Sequence, residues 1–332
     1  MTMWTEYLGA NRQAGTSELP VTWAEAARMT QRSSSNWGRS PSHLPLMNTC
    51  MNPDCNTSWL RLWRRRNVPR FEGQWACSAD CMRALIEQAV ERELGDGTPL
   101  EPKQHKHRIP LGLLMLSHGW ITKEQLRRAL DSQTQAGGNA RIGAWLMRQC
   151  NLSEEQVTRA LSMQWGCPVL SFPGHPLETM STLIPRLLLD TYGMVPLRNG
   201  SSRVAYLAFE DRPDSSVALA VERMNGIHIE PGVVTASQFL RVRQRTMSAP
   251  FPRAQLLEAK SPGMVAKEMA SAIERLRPHQ ARLVRMHRYF WLRAWHNPWT
   301  SVSDVRPQPG SVNLVPRIHQ VEDILIRFHP ED

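Results

Sequence analysis

Four cysteines, Cys50, Cys55, Cys77 and Cys81, follow the pattern C-x4-C-x21-C-x3-C. Two close pairs of thiols separated by one loop are the ligand set that closes a tetrahedral structural zinc site. In a reducing compartment such cysteines serve metal rather than disulfides. The expectation is one structural Zn2+ on Cys50, Cys55, Cys77 and Cys81. The alternative is four reduced thiols in a loop-rich segment that would have too little core to fold. Catalytic chemistry has no comparable support. No G-x-x-x-x-G-K-[ST] occurs, so the loop and lysine that cradle nucleotide phosphates are missing. No Ser/His/Asp or paired-carboxylate constellation has convincing context, and the 11 histidines are scattered. His105 and His107 alternate in a basic linker with nothing nearby to complete a site. The expectation is a protein that is not an enzyme.

The second cysteine pair must sit where a turn enters a helix. Trp75-Ala76-Cys77-Ser78-Ala79-Asp80-Cys81 runs into a helical stretch, Met82 to Leu94. A strand or turn followed by a helix carrying the last ligand is common in small treble-clef-like fingers. The stretch is similar to bacterial MYM/TRASH-like fingers in its cysteine spacing and its Trp-x-Cys-Ser context. Between the pairs lies Trp59-Leu60-Arg61-Leu62-Trp63-Arg64-Arg65-Arg66. Arginines interleaved with tryptophans can bind phosphates and stack on bases. The competing reading, a wet basic face on an amphipathic element, is favoured because charge runs are usually solvated.

A 24-residue unit occurs twice, Pro110 to Gln133 and Arg141 to Gln164, related by a shift of 31 residues. Under that shift Gly112 meets Gly143, Ala129 meets Ala160, Leu130 meets Leu161 and Gln133 meets Gln164. Each copy reads as helix–turn–helix. The apolar first half has a glycine near its start, and Gly119 ends the first short helix as a C′ glycine does. The second half opens with a capping box, Thr122-x-x-Gln125 or Ser153-x-x-Gln156. Ile121 with Leu126, and Leu152 with Val157, bracket the boxes as hydrophobic staples. Four short helices in two pairs are predicted.

This double motif resembles the MshEN domain, the N-terminal cyclic di-GMP-binding domain of type II secretion and type IV pilus assembly ATPases. The family motif is RLGxxLxxxGxxxxxxLxxxLxxQ, written twice. Copy one carries Leu111, Gly112, Met115, Gly119, Leu126, Leu130 and Gln133. Copy two carries Arg141, Ile142, Gly143, Leu146, Val157, Leu161 and Gln164. Pro110 replaces the first arginine and Cys150 the second mid-motif glycine. The resemblance implies that these fourteen residues form a cyclic di-GMP site. Arg141 would bind guanine O6 and N7 through two hydrogen bonds. Gly112 and Gly143 would admit phosphates to helix N-termini, and the leucines would wall the purines. Pro110 cannot donate; Arg108, two residues earlier, is a candidate substitute. A packed helical scaffold without ligand is the competing reading of the same leucines.

The chain divides by composition into a disordered stretch over 1–46, the cysteine-bearing finger over 47–95, and a linker over 96–107. The tandem repeat covers 108–174, a small α/β subdomain 175–247, a linker 248–260, and a small α+β tail 261–332. The fold class is therefore α+β multi-domain. A short helix is possible over Thr22 to Met29. After the repeat, a helix is expected over Leu177 to Asp190, with Pro185 kinking or dividing it. Two strands should flank a hairpin signal at Asn199-Gly200. A helix over Ser216 to Met224, a third strand and a closing helix capped by Thr235 complete a β-β-α-β-α order that matches the second half of MshEN-type domains. In the tail, Ser261 and Pro262 open a helix with a stripe of Val265, Met269, Ile273 and Leu276. Tyr289 to Trp295 alternates like a strand, and Asp323 to Phe328 is its expected partner. The tail tryptophans read either as core or as a contact surface for a protein partner.

The chain of 332 residues is 41% hydrophobic, enough for real cores, and carries a net charge of +10. That charge suits an anionic partner, whether nucleotide, nucleic acid or membrane surface. No apolar run approaches the roughly 20 residues of a membrane span, and no secretory signal is apparent, so a cytoplasmic location is expected. Three readings of function stand: a non-catalytic cyclic di-GMP receptor or degenerate adaptor with a secretion or pilus assembly partner, a zinc-finger nucleic-acid-binding regulator, and a purely structural adaptor with ligand binding lost.

Overall fold

The computed structural model describes residues 50–55, 69–102, 108–137, 141–170, 178–198, 204–296 and 318–330. The possible helix at Thr22 to Met29, the Trp59 to Arg66 stretch, His105, His107 and the Asn199-Gly200 signal lie outside them.

Strands β1 (Arg70–Phe71) and β2 (Gln74–Trp75) form a short antiparallel hairpin, followed by helix α1 (Ala79–Gly95). The tandem unit then gives α2 (Leu111–Ser117), α3 (Lys123–Gln135), α4 (Ile142–Cys150) and α5 (Glu154–Trp165). Both capping boxes close. Thr122 Oγ1 accepts from Gln125 N at 3.2 Å while Gln125 Oε1 accepts from Thr122 N at 2.7 Å. In the second copy the corresponding distances are 3.2 and 2.9 Å. All four staple residues, Ile121, Leu126, Leu152 and Val157, are buried with Met115, Leu146, Ala129 and Ala160 in one repeat core.

The two copies stop their first helices differently. Gly119, at φ +68°, follows α2 as expected. In the second copy, Cys150 is the last residue of α4, and Asn151 takes the left-handed turn at φ 53°. Asparagine tolerates that conformation better than other side chains, so the helix extends and the glycine becomes dispensable.

The next segment holds β3 (Glu178–Thr179), α6 (Arg186–Tyr192), β4 (Met194–Arg198), β5 (Ala205–Phe209), α7 (Ser215–Asn225), β6 (Ile229–Val233) and α8 (Ala236–Ser248). The sheet runs β3-β4-β5-β6, antiparallel except for the parallel β5–β6 pair. The β-β-α-β-α order is present. The helix expected over Leu177 to Asp190 is corrected: it begins only at Arg186, with Pro185 as its N-cap. A proline ring clashes with a preceding helical turn and cannot donate into one, so Pro185 starts the helix rather than kinking it.

The last segment gives β7 (Arg253–Ala259), α9 (Pro262–Leu276), β8 (Gln280–Met286), β9 (Tyr289–Trp295) and β10 (Val321–Phe328). Their sheet has the order β2-β1-β8-β9-β10-β7, with β1 parallel to β8 and β7 parallel to β10. Two expectations change here. The stretch 248–260, read as linker, contains β7. The cysteine-bearing segment and the tail, read as separate, share one sheet and one core: Phe71, Ile86 and Val90 pack with Val265, Met269, Phe290 and Ile324. The opposite face of the sheet is also covered. Tyr289, Trp291, Trp295 and Leu325 join Leu188, Val217 and Val221 of the α/β subdomain. Every residue of β9 is consequently buried, so Trp291 and Trp295 are core, not a contact surface, while Trp299 lies outside the described residues.

That second face holds a charged pair. Arg293 and Asp323 are both fully buried and joined by two hydrogen bonds of 2.7 and 2.8 Å. Trp291 Nε1 donates to Asp323 at 2.7 Å, and Arg293 also donates to Leu183 O and Asn225 Oδ1, each at 2.9 Å. Each charge is thus satisfied, the condition under which a buried pair is tolerated. Among the described residues no helix is long and apolar enough to cross a membrane.

Candidate functional site

Ser78 caps α1, its hydroxyl accepting from Cys81 N at 3.2 Å, so Cys77 lies in the turn and Cys81 in the first helical turn. Met51 N donates to Trp75 O at 3.0 Å, which brings the first cysteine loop beside the hairpin. The four Sγ atoms of Cys50, Cys55, Cys77 and Cys81 all lie within 4.8 Å of one another. Cys55 and Cys77 are 3.4 Å apart, and Cys77 and Cys81 3.7 Å. A tetrahedron with metal–sulfur bonds of about 2.3 Å has sulfurs about 3.8 Å apart. Cys77 N donates to Cys50 Sγ and Asn52 Nδ2 to Cys81 Sγ, both at 3.4 Å, the kind of donors that steady thiolates. Burial pushes the Cys50 thiol up to about 12, so it is neutral at pH 7 unless a cation draws off its proton. The expected ligand set is assembled and fits a metal ion.

The tandem unit builds a groove of about 420 Å3 against the α/β subdomain. Seven of the fourteen motif residues line it: Leu111 from the first copy, and Arg141, Ile142, Gly143, Val157, Leu161 and Gln164 from the second. The other seven are elsewhere. Met115, Leu126 and Leu146 are buried in the repeat core, Gly112 is buried beside them, and Gly119 is in its turn. Leu130 is 45% exposed on α3, as is Gln133 in part, so the first copy contributes almost nothing to the groove.

The glycines serve packing. A Cβ on Gly112 would lie 2.5 Å from Leu126 Cδ1, and one on Gly143 would lie 3.1 Å from Val157 Cγ1. Each first helix therefore rests its backbone on the second helix of its own copy. Gly143 also faces the groove, whereas Gly112 does not.

Arg141 caps α4 without a side-chain cap bond, and its guanidinium reaches the loop after β5. It pairs with Glu210 at 3.1 Å and Asp211 at 3.2 Å. Both carboxylates line the groove, and so does Glu154. Burial pushes the Asp211 carboxyl up, more than the nearby Arg141 pulls it down. The sequence reading missed Glu210 and Asp211; the acidic pair directly after a buried strand was the available signal. Arg108, the candidate substitute for the missing arginine, is otherwise engaged. Its Nη1 donates to Gln164 O at 2.6 Å, and its guanidinium lies 4.3 Å over the Trp165 ring. Gln164 in turn donates to Ile109 O at 2.8 Å, tying the end of the second copy to the start of the first.

No known family profile matches the chain. A curated relative does. The chain is similar to the type IV pilus assembly ATPase PilB of Thermus thermophilus. The two are 31% identical over 134 residues, which is 40% of this chain and 15% of PilB. The chain thus spans about 15% of the length of that relative. Two solved structures are similar over comparable stretches. MshE with cdg (cyclic di-GMP) matches with a TM-score of 0.34 and 23% identity, over 42% of this chain and 99% of that one. The N-terminal domain of XpsE matches with a TM-score of 0.30 and 17% identity, over 44% of this chain and 97% of that one.

Proposed function

We propose that the chain is a non-catalytic regulatory or adaptor protein that binds cyclic di-GMP in the groove between the second repeat copy and the α/β subdomain, with Zn2+ held structurally by the four cysteines. The observation that carries the reading is the convergence of Arg141, Ile142, Gly143, Val157, Leu161, Gln164 and Leu111 on one groove. Arg141 would turn from Glu210 and Asp211 to guanine O6 and N7, while Leu111, Ile142, Val157 and Leu161 cover the purine faces. Binding across two elements would fix their relative placement and bias a surface read by a secretion or pilus assembly partner.

A second reading, an adaptor that has lost its ligand, draws on a specific observation. Arg141 is neutralised by two carboxylates, and Pro110 occupies the N-cap of α2, where the first copy would need a donor. Calorimetric titration of the full chain with cyclic di-GMP decides between them. The receptor reading expects saturable binding that Arg141→Ala weakens at least tenfold. No binding by the unmodified chain leaves the adaptor reading standing, and binding unchanged by Arg141→Ala removes that arginine from the site.

A further inference from the structure

Helix α5 has a second exposed face, and it lines a second groove. This one measures about 730 Å3 and lies between α5 and α8. Its chemistry opposes that of the first. The first groove has one guanidinium, Arg141, against three carboxylates, Glu154, Glu210 and Asp211. The second has two guanidiniums, Arg159 from α5 and Arg241 from α8, against the single carboxylate of Glu155. Both arginines are exposed. Arg159 lies 5.9 Å over the Trp120 ring, and no carboxylate partner for either arginine is found among the described residues. Two cations on facing walls, with no acid between them to neutralise both, make a site of net positive charge.

The floor is apolar. Val169 and Leu170 run beside β6, with Leu170 N donating to Val233 O at 2.8 Å and Val233 N to Pro168 O at 3.1 Å. Val169 is 41% exposed and Met163, on the α5 wall, 38%. Ser162 and Thr235 complete the lining, their hydroxyls engaged with Cys167 O and Gln238 N. The volume is within the roughly 300–1,000 Å3 typical of small-molecule sites. An anion alone would leave the floor wet, and an apolar molecule alone would leave the arginines idle. A flat ring system carrying phosphate satisfies both.

We propose that this groove is a nucleotide site separate from the one described above, with Arg159 and Arg241 on the phosphates and the base over Val169 and Met163. It does not depend on the reading of the first groove. ADP serves as the probe, titrated calorimetrically into the full chain at low and at high salt. The unmodified protein should bind ADP, more weakly as salt rises. Arg241→Ala and Arg159→Ala should each weaken binding about tenfold, and Arg253→Ala, exposed on β7 and lining neither groove, should leave it unchanged. Because Arg159 and Arg241 are surface side chains, both variants should fold, which circular dichroism verifies. Absence of ADP binding overturns the proposal, as does binding that neither variant changes. Inorganic phosphate binding as tightly as ADP would also overturn it, by reducing the groove to an anion site.

Discussion

Arg141 shows how much a residue's role depends on what folds up against it. Its position at the start of the second copy marks it as a donor, but the two acids that hold it come from the loop after β5, about 70 residues along the chain. Nothing local to the motif indicates them. Arg293 shows the same at the core. A lone arginine in an otherwise apolar strand reads as an exposed residue or an edge, yet Asp323 on the neighbouring strand makes it the most enclosed charge of the sheet. Removing one partner leaves the other charge buried and unpaired, at a cost of roughly 3–5 kcal/mol. Asp323→Ala should therefore lower the unfolding free energy measured in urea by that amount; a change near zero would show that Arg293 finds water or another acceptor. A third residue, Asp214, caps α7 and meets His287 at 2.8 Å, while the other ring nitrogen of His287 meets Pro99 O at 2.8 Å. Burial pushes the Asp214 carboxyl up, but the bond and charge of His287, with the N–H groups of Val217 and Ser216, hold it below its ordinary value. A depressed carboxyl adds stability above the unfolded value of about 3.9 and loses it as pH falls through the folded value. Between about pH 5 and pH 3 the unmodified protein should lose more stability to this site than Asp214→Asn does. Equal losses, measured by urea unfolding at both pH values, would discount the pair.

At the scale of elements, legibility followed the range of the interactions involved. The four repeat helices were readable because capping boxes and staples are local: Thr122 with Gln125 and Ser153 with Gln156 close within one turn. The gathering of the cysteines was readable because two close pairs separated by one loop can bring four thiols together. Strand β7 was not, since Arg253 to Ala259 is mostly exposed and gains its place only by pairing with β10. The helix expected from Leu177 was overextended at its start, because apolar residues continue upstream of the proline at which it begins. Helix α1 joins the local and the distant. It begins at the cysteine cluster and ends with Glu93, fully buried, which accepts from Arg285 N at 3.0 Å and pairs with Arg223 of α7. If zinc holds the start of α1, its removal should loosen this whole contact. Metal analysis should find about one zinc per chain, and chelation should lower the melting temperature and cost α1 its helicity. A metal-free chain of undiminished stability would mean that the thiols suffice without an ion.

Over the whole molecule, the tail sheet is the piece against which the other parts are assembled. One face receives α1 and α9, the other the α/β subdomain, and the tandem repeat meets that subdomain through α5 and β6. Seven of the motif residues reached the groove and the others went to the repeat core, a turn or the outer side of α3, because the two copies, alike in sequence, have unlike surroundings: six of the groove's motif residues come from the second copy and only Leu111 from the first. A ligand in the groove should therefore be felt on both of its walls and not across the repeat at large. Hydrogen exchange of the full chain with and without cyclic di-GMP tests this most directly. The account predicts slowed exchange at the start of α4, around Arg141 to Ala144, and in the loop at Glu210 and Asp211, with α3 unchanged. Slowing confined to α3, or none at saturating ligand, would contradict it.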